Sequence, residues 1–125
     1  MKLLLDTHAA IWLSQGRAAE SLCALYEDPA NEIHLSTVSL WEMAIKRSIG
    51  KLDLAGDLAV FRTRLEAEGV RVVPLGADHS LRVERLPWVH RDPFDRVLAA
   101  TCLVEGWTIA SVDAVFDGYG VPRRF

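Results

Sequence analysis

Asp6, Glu42, Asp95 and Asp113 are the residues whose types and positions best suit chemistry in this chain. They are far apart in sequence, yet each falls where the local pattern predicts burial or the carboxyl end of a strand. Asp6 ends the apolar run Leu3-Leu4-Leu5, and Asp113 follows Thr108-Ile109-Ala110-Ser111 by two residues. In an open α/β sheet such strand ends converge on one crevice. Glu42 lies in Ser39-Leu40-Trp41-Glu42-Met43-Ala44-Ile45, on one helical stripe with Val38, Trp41, Ile45 and Ile49, which predicts a buried helix face. A carboxylate buried there requires a partner. Carboxylates brought within a few ångströms raise one another's pKa, so a stable ionised cluster calls for cations. Oxygen-only donors select Mg²⁺ or Mn²⁺ over zinc. One ion would lower the pKa of a water to make a nucleophile, and a second, roughly 4 Å away, would stabilise the leaving oxygen. The chemistry implied is that of a metal-dependent phosphodiesterase, with no side-chain nucleophile.

Three of the four acids, all but Glu42, also have a plainer reading. In His90-Arg91-Asp92-Pro93-Phe94-Asp95-Arg96, Asp92 suits an N-cap, Pro93 the first helical position and Asp95 the third. Capping accounts for Asp92 fully. It accounts less well for Asp95, which shares a helix face with the apolar Leu98, Ala99 and Cys102. Asp6 and Asp113 each precede a short helical pattern and could cap it.

The elements that must position these residues alternate along the chain. Strands are expected at Lys2 to Leu5, Ile33 to Leu35, Val70 to Pro74, Thr108 to Ser111 and near Val121. Helices are expected at about His8 to Leu13, Ala18 to Glu27, Val38 to Arg47, Asp57 to Glu68, His79 to Arg85 and Pro93 to Glu105. This alternation implies βαβ units and a mainly parallel sheet in an α/β fold. Gly50, Gly69 and Gly106 each follow a helical pattern, as C-terminal caps do.

With 125 residues, half of them hydrophobic, the chain is expected to form a single domain over residues 1–125, with one substantial core and no linker or repeat. Its longest uncharged apolar stretch, Val97 to Val104, is too short for a membrane span, and the apolar N-terminal run is too short for a secretory signal. A soluble, cytoplasmic protein is expected. Cys23 and Cys102 belong to no CxxC pair and fall in helical patterns, so free buried thiols are expected. The net charge of −3 argues against binding nucleic acid through a general positive field. A local groove remains open to Lys46, Arg47, Lys51, Arg82, Arg85, Arg91, Arg96, Arg123 and Arg124, or these are solvated surface charges.

Other chemistries fit poorly. The four histidines form no HExxH pair, and each reads as a surface or helix-end residue, with His90 a possible exception beside the loop that delivers Asp95. No GxxxxGK[ST], GxGxxG or GxSxG stretch is present. A receiver domain needs adjacent acids at the first strand end and a late lysine, but Thr7 follows Asp6 and the last lysine is Lys51. A phosphatase with an Asp nucleophile would want an acid at the position of His8.

The stretches Leu3-Leu4-Leu5-Asp6-Thr7-His8, Ser39 to Lys46 with Gly50-Lys51-Leu52, His90 to Arg96, and Ser111-Val112-Asp113 with Phe116 closely resemble PIN-domain toxins of the VapC type. The resemblance runs from end to end. It implies a three-layer α/β/α fold with a parallel sheet and a Mg²⁺- or Mn²⁺-dependent endoribonuclease that cuts structured RNA such as tRNA or rRNA. It also implies a homodimer and a VapB-type antitoxin whose C-terminal segment occupies the active-site groove. By this resemblance Asp6, Glu42 and Asp95 match the three common acids and Asp113 the more variable fourth. Ser111 matches the hydroxyl residue two positions before it. Thr7 would bond a ligand carboxylate or cap a helix, and Arg96 would contact phosphate or neutralise the acids. A PIN fold kept for binding, with cleavage weak or lost, is the alternative. For antitoxin contact, Trp88 in Leu86-Pro87-Trp88-Val89 is the surface candidate, whereas Trp12 and Trp41 read as core.

Overall fold

The computed structural model describes residues 1–125. The chain begins with strand β1 (Lys2–Leu5), helices α1 (Thr7–Ser14) and α2 (Glu20–Glu27), strand β2 (Glu32–Ser36) and helices α3 (Thr37–Ser48) and α4 (Leu58–Ala67). It continues through β3 (Arg71–Val73), α5 (Ala77–Arg82), a 3-10 turn at Val83–Arg85, α6 (Pro93–Glu105), β4 (Thr108–Ala110), α7 (Val115–Gly118) and β5 (Arg123–Arg124). All four strand pairings are parallel, in the order β3-β2-β1-β4-β5. The expected α/β class with a parallel sheet is therefore the one observed.

Strand β1 is central and buried, and alternation along it feeds both sides of the sheet. Leu3 and Leu5 join Ala9, Leu22, Leu35, Met43 and Phe61 in one core, while Leu4 joins Leu98, Ile109, Phe116 and Val121 in the other. Helices thus cover both faces, giving three layers. The last strand lies at Arg123–Arg124 rather than at Val121. Val121 is itself buried, and its N–H bonds back to the Phe116 carbonyl, so it fills the core before the ladder to β4 begins. Two arginines suit the sheet edge, where charge discourages pairing with another chain. The expected helix over His79 to Arg85 ends earlier, tightening into the 3-10 turn, and α7 follows Asp113 where only a short helical pattern was evident.

Helix α6 begins and ends on local signals. Asp92 Oδ1 accepts the Phe94 N–H at 2.8 Å, Pro93 occupies the first turn, and Gly106 closes the helix at φ 72°. Helix α3 corrects an expectation. Its buried residues are Val38, Ser39, Glu42 and Met43, whereas Trp41 is 60 % exposed and Ile45 and Ile49 also face outward. At 100° per residue the inward face is turned by most of a quarter-turn toward Ser39 and Met43. The turn is stabilised because Ser39 and Glu42 find polar partners inside.

Cys23 and Cys102 are free, as expected; Cys23 is half-buried, and burial pushes the Cys102 thiol up to about 12. No helix is long and apolar enough to cross a membrane.

Candidate metal centre

The strand order reverses at β1, whose neighbours β2 and β4 leave toward opposite edges of the sheet. Such a switch point opens a crevice at the strands' carboxyl ends. Asp6 stands there, at the end of β1, and caps α1 by accepting the Ala9 N–H at 2.7 Å. Across the crevice Ser111 ends β4, and its hydroxyl accepts the Asp113 N–H at 3.0 Å. Asp113 Oδ1 in turn accepts the Val115 N–H at 3.0 Å from the residue before the cap position, which Ala114 occupies, so Asp113 orders the turn into α7 without being its cap.

Glu42 enters from α3, 4 % exposed, and both its oxygens are bonded. The Thr7 hydroxyl donates to Oε1 at 2.7 Å and lies 3.0 Å from Ser39 Oγ. The Lys46 ammonium holds Oε2. Asp95 enters from the first turn of α6, its backbone N–H 3.4 Å from the capping Asp92 carboxylate. His90 Nδ1 lies 3.9 Å from Asp95 Oδ2.

Charge and burial together set the protonation of this cluster. Burial pushes the Asp95 carboxyl up to about 7, with Asp92, Asp113, Glu42 and Asp6 adding to the rise. Asp6 is also raised, first by burial, against the lowering effect of the Ser111 hydroxyl, the Ala9 N–H and His8. Four acids from four separate segments therefore act on one another. Among them only Glu42 is bonded to a lysine, and none to an arginine. An all-oxygen donor set with surplus negative charge fits a hard divalent cation. Asp6, Glu42, Asp95 and Asp113 are the side chains that could hold one.

Arg96 does not point to this cluster. It is buried, donating to the Pro87 carbonyl at 3.0 Å and the Val83 carbonyl at 3.2 Å, with its guanidinium 4.2 Å from the Trp88 ring centre. Rather than neutralising the acids, it ties down the loop before α6, because a buried guanidinium needs acceptors. His34 is likewise no surface residue. It is buried on β2, its Nδ1 3.2 Å from the Leu3 carbonyl and its ring stacked on Trp107 at 4.0 Å. Trp41, expected in the core, lies on the surface edge-on to Phe94, and Trp12 is half-buried against Phe125. Trp88 is 81 % exposed, the surface position expected of it.

Sequence reasoning missed Ser39 and the charge effect of Asp92, and it left Lys46 as either part of a basic groove or a solvated surface charge, not as the partner of an acid. The signals were present as spacing, since Ser39 and Lys46 stand three before and four after Glu42 on one helix. The tightest set of potential ligand atoms is in fact His90, Asp92 and Asp95, all within 4.8 Å of one another. The largest cavity, about 420 Å³, lies elsewhere, between Ser14, Leu54, Phe61 and Arg64, and contains none of the four acids.

A parallel sheet with acids gathered at its switch point defines a class of protein, and comparison with known families identifies it. The chain belongs to the PIN domain family, whose model matches residues 3–121. It is similar to ribonuclease VapC22 of Mycobacterium tuberculosis, 28 % identical over 123 residues that span 97 % of this chain and 94 % of that one. Its fold is similar to that in the crystal structure of VapBC2 from Rickettsia felis bound to a promoter DNA fragment. There the TM-score is 0.70 and the identity 14 %, with both chains fully covered. VapC20 of Mycobacterium tuberculosis, a sarcin-ricin loop cleaving toxin, gives a TM-score of 0.68 at 18 % identity over 98 % of this chain and 99 % of that one.

Proposed function

We propose that this protein is a VapC-type toxin, an endoribonuclease that hydrolyses RNA phosphodiester bonds with Mg²⁺ or Mn²⁺ held by Asp6, Glu42, Asp95 and Asp113. The observation that carries the reading is the convergence of these four carboxylates from the end of β1, α3, α6 and the segment after β4, where burial first, then Asp92, and then Asp113, Glu42 and Asp6 push Asp95 up to about 7. A group of acids that resists full ionisation alone is one that a divalent cation stabilises. When bound, the ions would polarise the phosphodiester and activate a water for attack. The chain's own side chains hold the ligands for that task. Thr7, itself paired with the Ser39 hydroxyl, fixes Glu42, while the Ala9 N–H and the Ser111 hydroxyl fix Asp6.

The relatives support the rest of the reading. A ribonuclease similar along nearly its whole length supports RNA as the substrate, and a neighbour described as cleaving the sarcin-ricin loop favours structured RNA, rRNA or tRNA. Toxin-antitoxin complexes among the structural neighbours support a VapB-type antitoxin as partner. In this reading residues 1–125 work as one PIN domain, as a homodimer, in the cytoplasm.

Purified protein should cleave RNA with added Mn²⁺ or Mg²⁺, stop with EDTA, and leave 5′-phosphate and 3′-hydroxyl ends. A 2′,3′-cyclic phosphate would mean that the RNA's own hydroxyl attacked, and would overturn the hydrolytic mechanism. Folded protein that binds no Mn²⁺ in titration calorimetry would leave the fold as a binding module.

A further inference from the structure

Glu42 and Lys46 form the i, i+4 pair in which glutamate precedes lysine along a helix. Its two ends differ in environment. The carboxylate is buried, while the lysine side chain is 37 % exposed on a flexible four-carbon stem. Thr7 occupies the other carboxylate oxygen, but a neutral hydroxyl leaves the negative charge uncompensated. A buried carboxylate without a cation is strongly destabilising. Lys46 therefore does for Glu42, in the metal-free chain, what a divalent ion would do in the loaded one. An ammonium and a divalent ion held at one carboxylate oxygen repel each other strongly at such separations. The lysine is the partner free to move, since water already reaches it.

We propose that Lys46 is the resident counter-ion of Glu42, keeping the metal-free site folded and leaving Oε2 when a divalent cation loads, so that it sets the ion concentration at which the site fills. The inference rests on the metal-dependent reading above. Lys46 is on this view a positioning residue: it acts through Glu42 and touches no reacting atom.

The test is titration calorimetry with Mn²⁺ on the full chain as wild type, Lys46→Met, Lys46→Gln and Lys46→Arg, with thermal unfolding in EDTA and in saturating Mn²⁺. The two neutral variants should bind Mn²⁺ roughly tenfold more tightly, a coupling of ordinary size between linked sites. Lys46→Arg should stay near wild type. In EDTA the neutral variants should unfold at lower temperature than wild type, and Mn²⁺ should narrow that gap. An ordinary surface ion pair would shift stability equally in both conditions and leave affinity unchanged, which would overturn the proposal. Weaker Mn²⁺ binding by the neutral variants would overturn it as well. Lys46→Gln keeps a donor for Oε2, so the comparison survives if Lys46→Met fails to fold. Wild-type binding with unaltered variants defeats this proposal alone, whereas folded wild type that binds no Mn²⁺ defeats the metal reading and this proposal with it.

Discussion

Asp95 concentrates the electrostatics of the site in one carboxyl group. Its folded pKa of about 7 lies above the usual 3.8, so the group adds stability that is fully present below pH 3.8 and is lost as pH rises through 7. The metal-free protein should therefore lose thermal stability between about pH 4 and 7. Asp95→Asn, which cannot ionise, should flatten that decline; an equally steep decline in the variant would show that other groups cause it. Metal binding carries the opposite dependence, because the ligand form is the ionised one. Mn²⁺ affinity should rise by up to about tenfold per pH unit below 7 and level off above it. Cleavage should fall by at least about a hundredfold in Asp6→Asn or Asp95→Asn without unfolding, measured on the same RNA at saturating Mn²⁺. Full metal-dependent cleavage by either variant would remove that residue from the assignment.

Helix α6 and the loop before it link a capping motif to the site. Asp92 serves the helix by accepting the Phe94 and Asp95 N–H groups, and it is also the neighbouring charge that raises Asp95 most. Asp92→Ala should cost about 1 kcal/mol of stability through the lost cap. It should also lower the Asp95 pKa, moving the pH midpoint of Mn²⁺ binding down, and an unmoved midpoint would show that the cap's charge is screened. Arg96 secures the same loop from inside. Arg96→Met removes the donors for two carbonyls and should cost roughly 2 kcal/mol or more in denaturant unfolding. Unchanged stability with weakened RNA binding would instead mark Arg96 as a phosphate contact. Much of this element was legible in the sequence, since Asp92, Pro93 and Gly106 mark both ends of the helix. What Arg96 bonds was not, because its acceptors lie nine and thirteen residues earlier and are brought to it by the 3-10 turn.

At the scale of the whole molecule, the site is made by topology. Crossovers carry the chain from β1 to β2 on one side and later to β4 on the other, and the crevice opens where those directions part. A divalent ion that binds only the folded chain should raise its unfolding temperature with concentration, and EDTA should reverse the rise. Trp88 stands exposed on the loop that Arg96 ties down, a rigid aromatic of the type that dominates protein interfaces. Trp88→Ala should weaken the complex with a VapB-type antitoxin about tenfold or more, while metal-dependent cleavage stays close to wild type. Unaltered antitoxin affinity would move the contact elsewhere.

The alternation of apolar strand runs with helical patterns was enough to specify an α/β class and a parallel sheet, because period-2 and period-3.6 burial are local properties of a chain. The positions of Asp6 and Asp113 beside strand ends were readable for the same reason. Rotation of α3 was not. The stripe Val38, Trp41, Ile45 and Ile49 points to one face, but burial of Ser39 and Glu42 depends on the Thr7 hydroxyl, which only the packing of α1 against α3 supplies. Partner choice was divided in the same way: the i, i+4 spacing of Glu42 and Lys46 on one helix made that pair legible. Folding decided that Arg96 meets two carbonyls and His34 a tryptophan, because hydrogen bonds and ring contacts form between groups close in space, whatever their separation along the chain.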